Sequence, residues 1–98
     1  MTKAGKRLAT FKGALLSGHK EHAVEVPFDP SIQWKIEPQR LWRRRRGHQV
    51  VAKIRRISFE SAIVPRQKRF YLLIDDETSG ALKLSEGDIV RVELQPLV

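Results

Sequence analysis

The chain has 98 residues, 41% hydrophobic and 31% charged, which fits one small globular domain with a modest core and excludes a wholly disordered chain. The absence of cysteine excludes disulfides and thiolate metal sites, and no apolar run approaches the ~20 residues that span a bilayer. The net charge is +8, and all of the excess lies in residues 40–69, where eleven basic residues meet one acid, Glu60; the rest of the chain carries eight basic and ten acidic residues.

Residues 1–8 are polar and basic and read as a flexible N-terminus ahead of one domain over 9–98. They contain no sustained apolar stretch before a small-residue cleavage site, so no signal peptide is expected. Alternation begins in "ATFKGALL", with Phe11, Gly13 and Leu15 on one face. "SGHKEH" is a turn signal, and "AVEVPF" alternates again through Val24, Val26 and Phe28. Asp29-Pro30 reads as a helix N-cap followed by proline at the first helical position. "SIQWKIEPQRLW" has helical spacing at Ile32, Trp34 and Ile36, broken by Pro38. "HQVVAKI" and "ISFESAIV" form a hairpin around Arg55-Arg56, and "RFYLLI" is a strand. Asp75 caps a short helix in "DETSGALKL", Ser85-Glu86-Gly87-Asp88 is a tight turn, and "IVRVEL" is the last strand.

The second half echoes the first. "TFKGALL" matches "SFESAIV" at an offset of 48, "VEVPFD" matches "FYLLID" at 46, and "GHQVVAKI" matches "GDIVRVEL" at 40. Gly47 is thereby matched to the turn glycine Gly87. Each half, 9–54 and 57–95, reads as β–β–α–β. One such unit has an apolar face with nothing to cover it, so two must pack together. The expected architecture is all-β: a closed six-stranded barrel with short capping helices. Its inward set is Phe11, Leu15, Val24, Val26, Phe28, Val50, Ala52, Ile54, Phe59, Ile63, Phe70, Leu72, Ile74, Val90, Val92 and Leu94. Lys12, Glu25, Lys53, Glu60, Arg91 and Glu93 then face water.

"VEVPFDP" and "RFYLLIDDETSGALKLSEGDIVRVEL" resemble the bacterial family catalogued as domain of unknown function 1905, over roughly residues 9–96. The resemblance implies a double-split β-barrel, related to the swapped-hairpin domains of AbrB and MazE but with both halves in one chain. The family has no assigned activity. This chain departs from its pattern at Arg55-Arg56, where Asn-Gly or Asp-Gly is usual and a wider or strained turn is expected. It departs again at Ser79-Gly80, where a basic residue is usual, and in a longer connection carrying Trp34, Trp42 and the arginine run.

That run, "RRRR" at 43–46, is the main candidate for function. Buried, unpaired guanidinium groups are too costly, so the following strand is expected to start near Gly47 or His48, with the run projecting from the barrel mouth. Arg66, Lys68 and Arg69 fall at the next turn on the same end. Arg43, Arg44, Arg45, Arg46, Arg66, Lys68 and Arg69 then form one patch that suits DNA or RNA phosphates without sequence readout. Trp42, or Trp34, would stack on a base if exposed. The competing readings are a solvated loop with the tryptophans capping the barrel, and a surface for an acidic protein. His19-x-x-His22 has no third ligand nearby and is a weak metal motif. Asp75-Asp76-Glu77 suits a helix N-terminus. No nucleophile motif, phosphate-binding glycine loop or cofactor motif appears. The expectation is a cytoplasmic, monomeric, bacterial binding module, neither an enzyme nor a membrane protein, with no metal or cofactor.

Overall fold

The computed structural model describes residues 8–17, 22–41 and 46–97. Seven strands and two short helices follow in the order β1 (Ala9–Ser17), β2 (His22–Val26), α1 (Pro30–Trp34), β3 (Gln39–Arg40), β4 (Arg46–Ile54), β5 (Ile57–Arg66), β6 (Arg69–Ile74), α2 (Asp76–Ala81) and β7 (Ile89–Pro96). Every pairing is antiparallel. Six strands run β4-β5-β6-β2-β1-β7, and β7 returns to β4, which closes a barrel. β3 is the seventh strand and pairs with the start of β4, beyond the point where β7 ends.

The inside of the barrel follows the period-two alternation of the sequence. Leu15, Val24, Val26, Val50, Ala52, Ile54, Ile63, Leu72, Ile74, Val90, Val92 and Leu94 are buried. Phe11, Phe28, Phe59 and Phe70 are half-buried and pack against them. Two of these phenylalanines lie where a strand has one partner. β1 pairs with β7 over Ala9–Ala14 and with β2 only from Leu15. β5 pairs with β4 over Ile57–Ile63 and with β6 only from Ile63. Phe11 and Phe59 sit on the singly flanked stretches, so one side of each ring stays open.

Alternation fails where strands are covered on both faces. Ala62-Ile63-Val64 and Leu72-Leu73-Ile74 are each buried without interruption. Ile63, Leu72 and Ile74 point into the barrel, whereas Ala62, Val64 and Leu73 form a second apolar cluster outside it with Leu41 and Tyr71. "AIVP" and "YLLI" are continuous apolar runs, which is the pattern of a strand buried on both faces.

Both expected N-caps are present. Asp29 accepts the amide of Ser31 at 2.9 Å, with Pro30 at the first helical position. Asp75 accepts the amide of Thr78 at 2.6 Å. The helical spacing read through Ile36 does not hold: α1 stops at Trp34, where Lys35 turns left-handed at φ 56°. Ile32, taken as part of the helix's apolar face, is 75% exposed. Residues 39–40, beyond the expected break at Pro38, form β3, a strand that the sequence pattern does not announce. α2 ends in a Schellman turn, with Leu84 donating to Ser79 O and Lys83 to Gly80 O, and Lys83 holds the left-handed position at φ 56°.

Gly47 and Gly87 are not equivalent. Gly87 has φ 93° in the turn before β7, where Asp88 accepts the amide of Ser85 at 2.8 Å. Gly47 lies within β4, opposite Gln39, and a Cβ there would collide with the carbonyl oxygen of Ile63. Gly13 is a second close approach. It sits next to the point where β1 changes partner, and a Cβ there would lie 2.7 Å from Val24 Cγ1. Val24 is fully buried and β-branched, so it cannot swing aside. Gly13→Ala is therefore expected to destabilise the fold by about 1–3 kcal/mol, read as a lower urea midpoint at an unchanged m-value.

Candidate functional site

The described basic residues of segment 40–69 are divided between the two ends of the barrel. β4 runs from Arg46 at one end to Ile54 at the other, and β5 returns antiparallel to it. Arg55 and Arg56 form the tight two-residue turn between them, closed by the Ile54–Ile57 pair. Arg55 has φ 58°, so the turn is strained rather than widened. Its guanidinium donates to Leu82 O at 2.9 Å and satisfies a carbonyl at the C-terminus of α2. Lys53 lies next to the last residue of β4, opposite Glu93. These residues are used within the fold or stand alone, away from the mouth.

The other end gathers the remaining described ones. The β4–β5 ladder pairs His48 with Ile63, so its continuation sets Arg46 beside Pro65, one residue from Arg66. Arg66 and Arg69 are ladder partners across the turn Gln67-Lys68. Arg40 of β3 is the partner of Arg46. Arg40, Arg46, Arg66, Lys68 and Arg69 are all exposed. Among the described residues one carboxylate lies within ion-pair reach of this set: Glu25 Oε1, 3.4 Å from Arg69 Nη1.

Strand β4 begins at Arg46, one residue earlier than expected. Arg46 shares the inward parity of His48 and Val50, yet it is exposed. The last β7 partner of β4 is Pro96, opposite Val50, so β4 extends past the closed part of the barrel and Arg46 stands at its open rim.

His48 fixes the approach to this rim. It is 4% exposed, and its Nε2 donates to the carbonyl oxygen of Ile36 at 2.7 Å. A carbonyl only accepts, so Nε2 carries the hydrogen. Ser31 Oγ lies 3.4 Å from the same nitrogen. One side chain thus ties both α1 and the connection after it to the start of β4. Leu41 holds the far end of that connection by packing with Ala62, Val64 and Leu73 on the outer face. The arginine run lies between Leu41 and Arg46. Trp42, Arg43, Arg44 and Arg45 lie outside the described residues.

Trp34 does not serve as a base-stacking platform. It is 6% exposed and packs edge-on against Phe28 at 5.6 Å, which in turn meets Phe11 at 6.3 Å. It caps the barrel end from inside. At the opposite end Asp75 is a helix cap, and Asp76 Oδ1 lies 3.5 Å from His22 Nε2. His19 lies outside the described residues. No three candidate metal ligands cluster among the described residues, and no helix among them is long and apolar enough to cross a membrane.

Sequence reasoning did not assign roles to Arg40, Glu25 and His48. The two-residue strand Gln39-Arg40 is too short to show alternation, so the pairing of Arg40 with Arg46 leaves no sequence signal. Alternation puts Glu25 on the outer face, but only the β2–β6 register brings it near Arg69. A lone histidine at the start of an apolar strand carries no signal of the carbonyl it will meet.

The family model described as Domain of unknown function (DUF1905) matches residues 11–94. No curated protein matches the chain.

His48→Ala is expected to cost about 2–3 kcal/mol, because it opens a cavity and removes the partner of the half-buried Ile36 carbonyl. Hydrogen exchange checks the mechanism: amides of residues 31–41 should lose more protection than those of β1 and β7.

Proposed function

This chain belongs to the Domain of unknown function (DUF1905) family, and from that premise we propose that it is a binding module, not an enzyme, that holds nucleic acid nonspecifically through phosphate contacts. The supporting observation is the collection of Arg40, Arg46, Arg66, Lys68 and Arg69 at one barrel end, exposed, with one carboxylate in reach among the described residues. Arg43, Arg44, Arg45 and Trp42 join the site on sequence grounds, since they connect Leu41 to Arg46. A surface of this kind gains affinity by releasing counterions from the phosphate backbone. It reads little sequence, because phosphate contacts carry no base information. Binding is favoured over catalysis because His48 is committed to Ile36 O and His22 lies against Asp76.

The module is proposed to act as a monomer in the bacterial cytoplasm, as two β–β–α–β copies closed on each other. Exchanging β1, β2 and β4 with β5, β6 and β7 leaves the set of barrel pairings unchanged, which supports the duplication. The ladders set Leu15–Val24 beside Ile63–Leu72, so Val24 corresponds to Leu72. The caps still correspond at Asp29 and Asp75, because Pro27-Phe28 lengthen the path from strand to cap in the first half.

A second reading, a protein-interaction domain, is favoured by an apolar stripe on the outer face. Ile89 is 65% and Leu16 40% exposed, with Ala14 paired to Ile89 and Ala23 paired to Leu16. In that reading the basic end meets an acidic protein.

Fluorescence anisotropy with DNA and RNA oligomers across a salt series tests the proposal. The logarithm of affinity should fall linearly with the logarithm of salt, with a slope near −0.9 per phosphate contacted on duplex DNA. Replacing Arg43–Arg46 with serine should flatten that slope by about two to four. No binding at low salt would sink the nucleic-acid reading.

A further inference from the structure

The basic end contains two cross-strand pairs of like charge, Arg40 with Arg46 and Arg66 with Arg69. Directly opposed residues hold their Cβ atoms about 4.5–5.5 Å apart on one face, where like charges work against folding. A third such pair, Lys12 with Arg91, has Glu93 two residues along the same face of β7. At the basic end, Arg40 and Arg46 have no carboxylate in ion-pair reach among the described residues, and Arg66–Arg69 has only Glu25.

The turn joining Arg66 to Arg69 adds a second cost. Gln67 and Lys68 both have positive φ, 53° and 67°. A two-residue hairpin loop with both residues left-handed suits asparagine and glycine. Glutamine and lysine occupy that region at a steric penalty. Four consecutive exposed residues, Arg66-Gln67-Lys68-Arg69, thus hold a conformation and a charge pairing that favour other residue types.

We infer that this turn is the principal phosphate contact of the basic end, and that Glu25 occupies Arg69 as an internal stand-in for a phosphate oxygen. The inference rests on the nucleic-acid reading above and deepens it. Two guanidinium groups on one face of a hairpin tip can share the oxygens of one phosphodiester. Lys68 adds a compact charge at the tip. Strand alternation turns Arg66 and Arg69 to the outer face, with Val64 and Tyr71, and sets Arg40 and Arg46 on the inward parity at the rim. A polyanion backbone crossing the rim meets both pairs. In the free protein a Glu25 oxygen sits 3.4 Å from Arg69 Nη1, with the side chains 44% and 64% exposed. So exposed a pair is weak and readily exchanged.

Three proteins measured against a short mixed-sequence DNA duplex, with urea unfolding in parallel, test this. Glu25→Gln should bind about three-fold tighter than wild type at low salt, since it frees Arg69. Arg66→Thr/Arg69→Thr should bind at least about ten-fold more weakly, with a salt slope flatter by about two. Its urea midpoint should equal or exceed the wild-type value, because the opposed charges are gone. Wild-type affinity in both variants overturns the inference and leaves binding to the other arginines. A double variant that loses affinity together with its urea midpoint also overturns it, because the turn then acts through the fold. Polyglutamate of matched charge binding as tightly as the duplex overturns the phosphate assignment in favour of an acidic protein. A wild-type chain that does not bind the duplex at all overturns the nucleic-acid reading itself.

Discussion

The ladder between β4 and β7 is the constraint from which the rest of the architecture follows. It joins Val50–Ile54 to Val92–Pro96 and turns an open sheet into a closed barrel. Closure buries Val50, Ala52, Ile54, Val92 and Leu94 completely. Within the barrel it leaves only short unpaired edges among the described residues, Ala9–Ala14 of β1 and Ile57–Ala62 of β5, and short edges limit the aggregation risk of an open sheet. The two strands differ in reach. β7 ends at Pro96, and the amide of Leu97 makes a last bond to Gln49 O. β4 extends four residues further toward its own start. That overhang is where β3 pairs, where His48 anchors the preceding connection, and where Arg46 stands at the rim.

The same geometry separates charges that the sequence presents together. Eleven basic residues fall within residues 40–69, but the antiparallel strands set the described ones toward opposite ends. Arg55 is absorbed by the C-terminus of α2, and Lys53 lies opposite Glu93. Arg40, Arg46, Arg66, Lys68 and Arg69 converge at the rim. The acids Asp75, Asp76, Glu77, Glu86 and Asp88 belong to α2 and the turn before β7, at the opposite end. Nearby field strength depends on such clustering far more than on the net charge.

Non-glycine residues with positive φ mark the turns. Lys35, Arg55, Gln67, Lys68 and Lys83 all occupy the left-handed region, and four of the five are basic. Lys35 and Lys83 terminate the two helices, and Arg55 and Lys68 lie in hairpin turns. Glycine would suit each conformation better. Arg55 has an evident compensation in the bond its guanidinium makes to Leu82 O. Lys35 and Lys83 have none that the structure explains.

The sequence by itself determined the barrel's strands, its inward residues, both helix caps and the family, because these depend on local alternation, cap chemistry and a long ungapped match. The twelve fully inward aliphatic side chains alternate as a half-buried strand must. Asp29 and Asp75 need only their own next turn. Only the tertiary structure decided which residues meet. The second cluster around Leu41, the tie from His48 to Ile36 O, the Arg40–Arg46 pair and the Glu25–Arg69 contact each join residues from separate segments. Their partners are set by ladder register and strand length, and a one-residue change in either would send the same side chains to different neighbours.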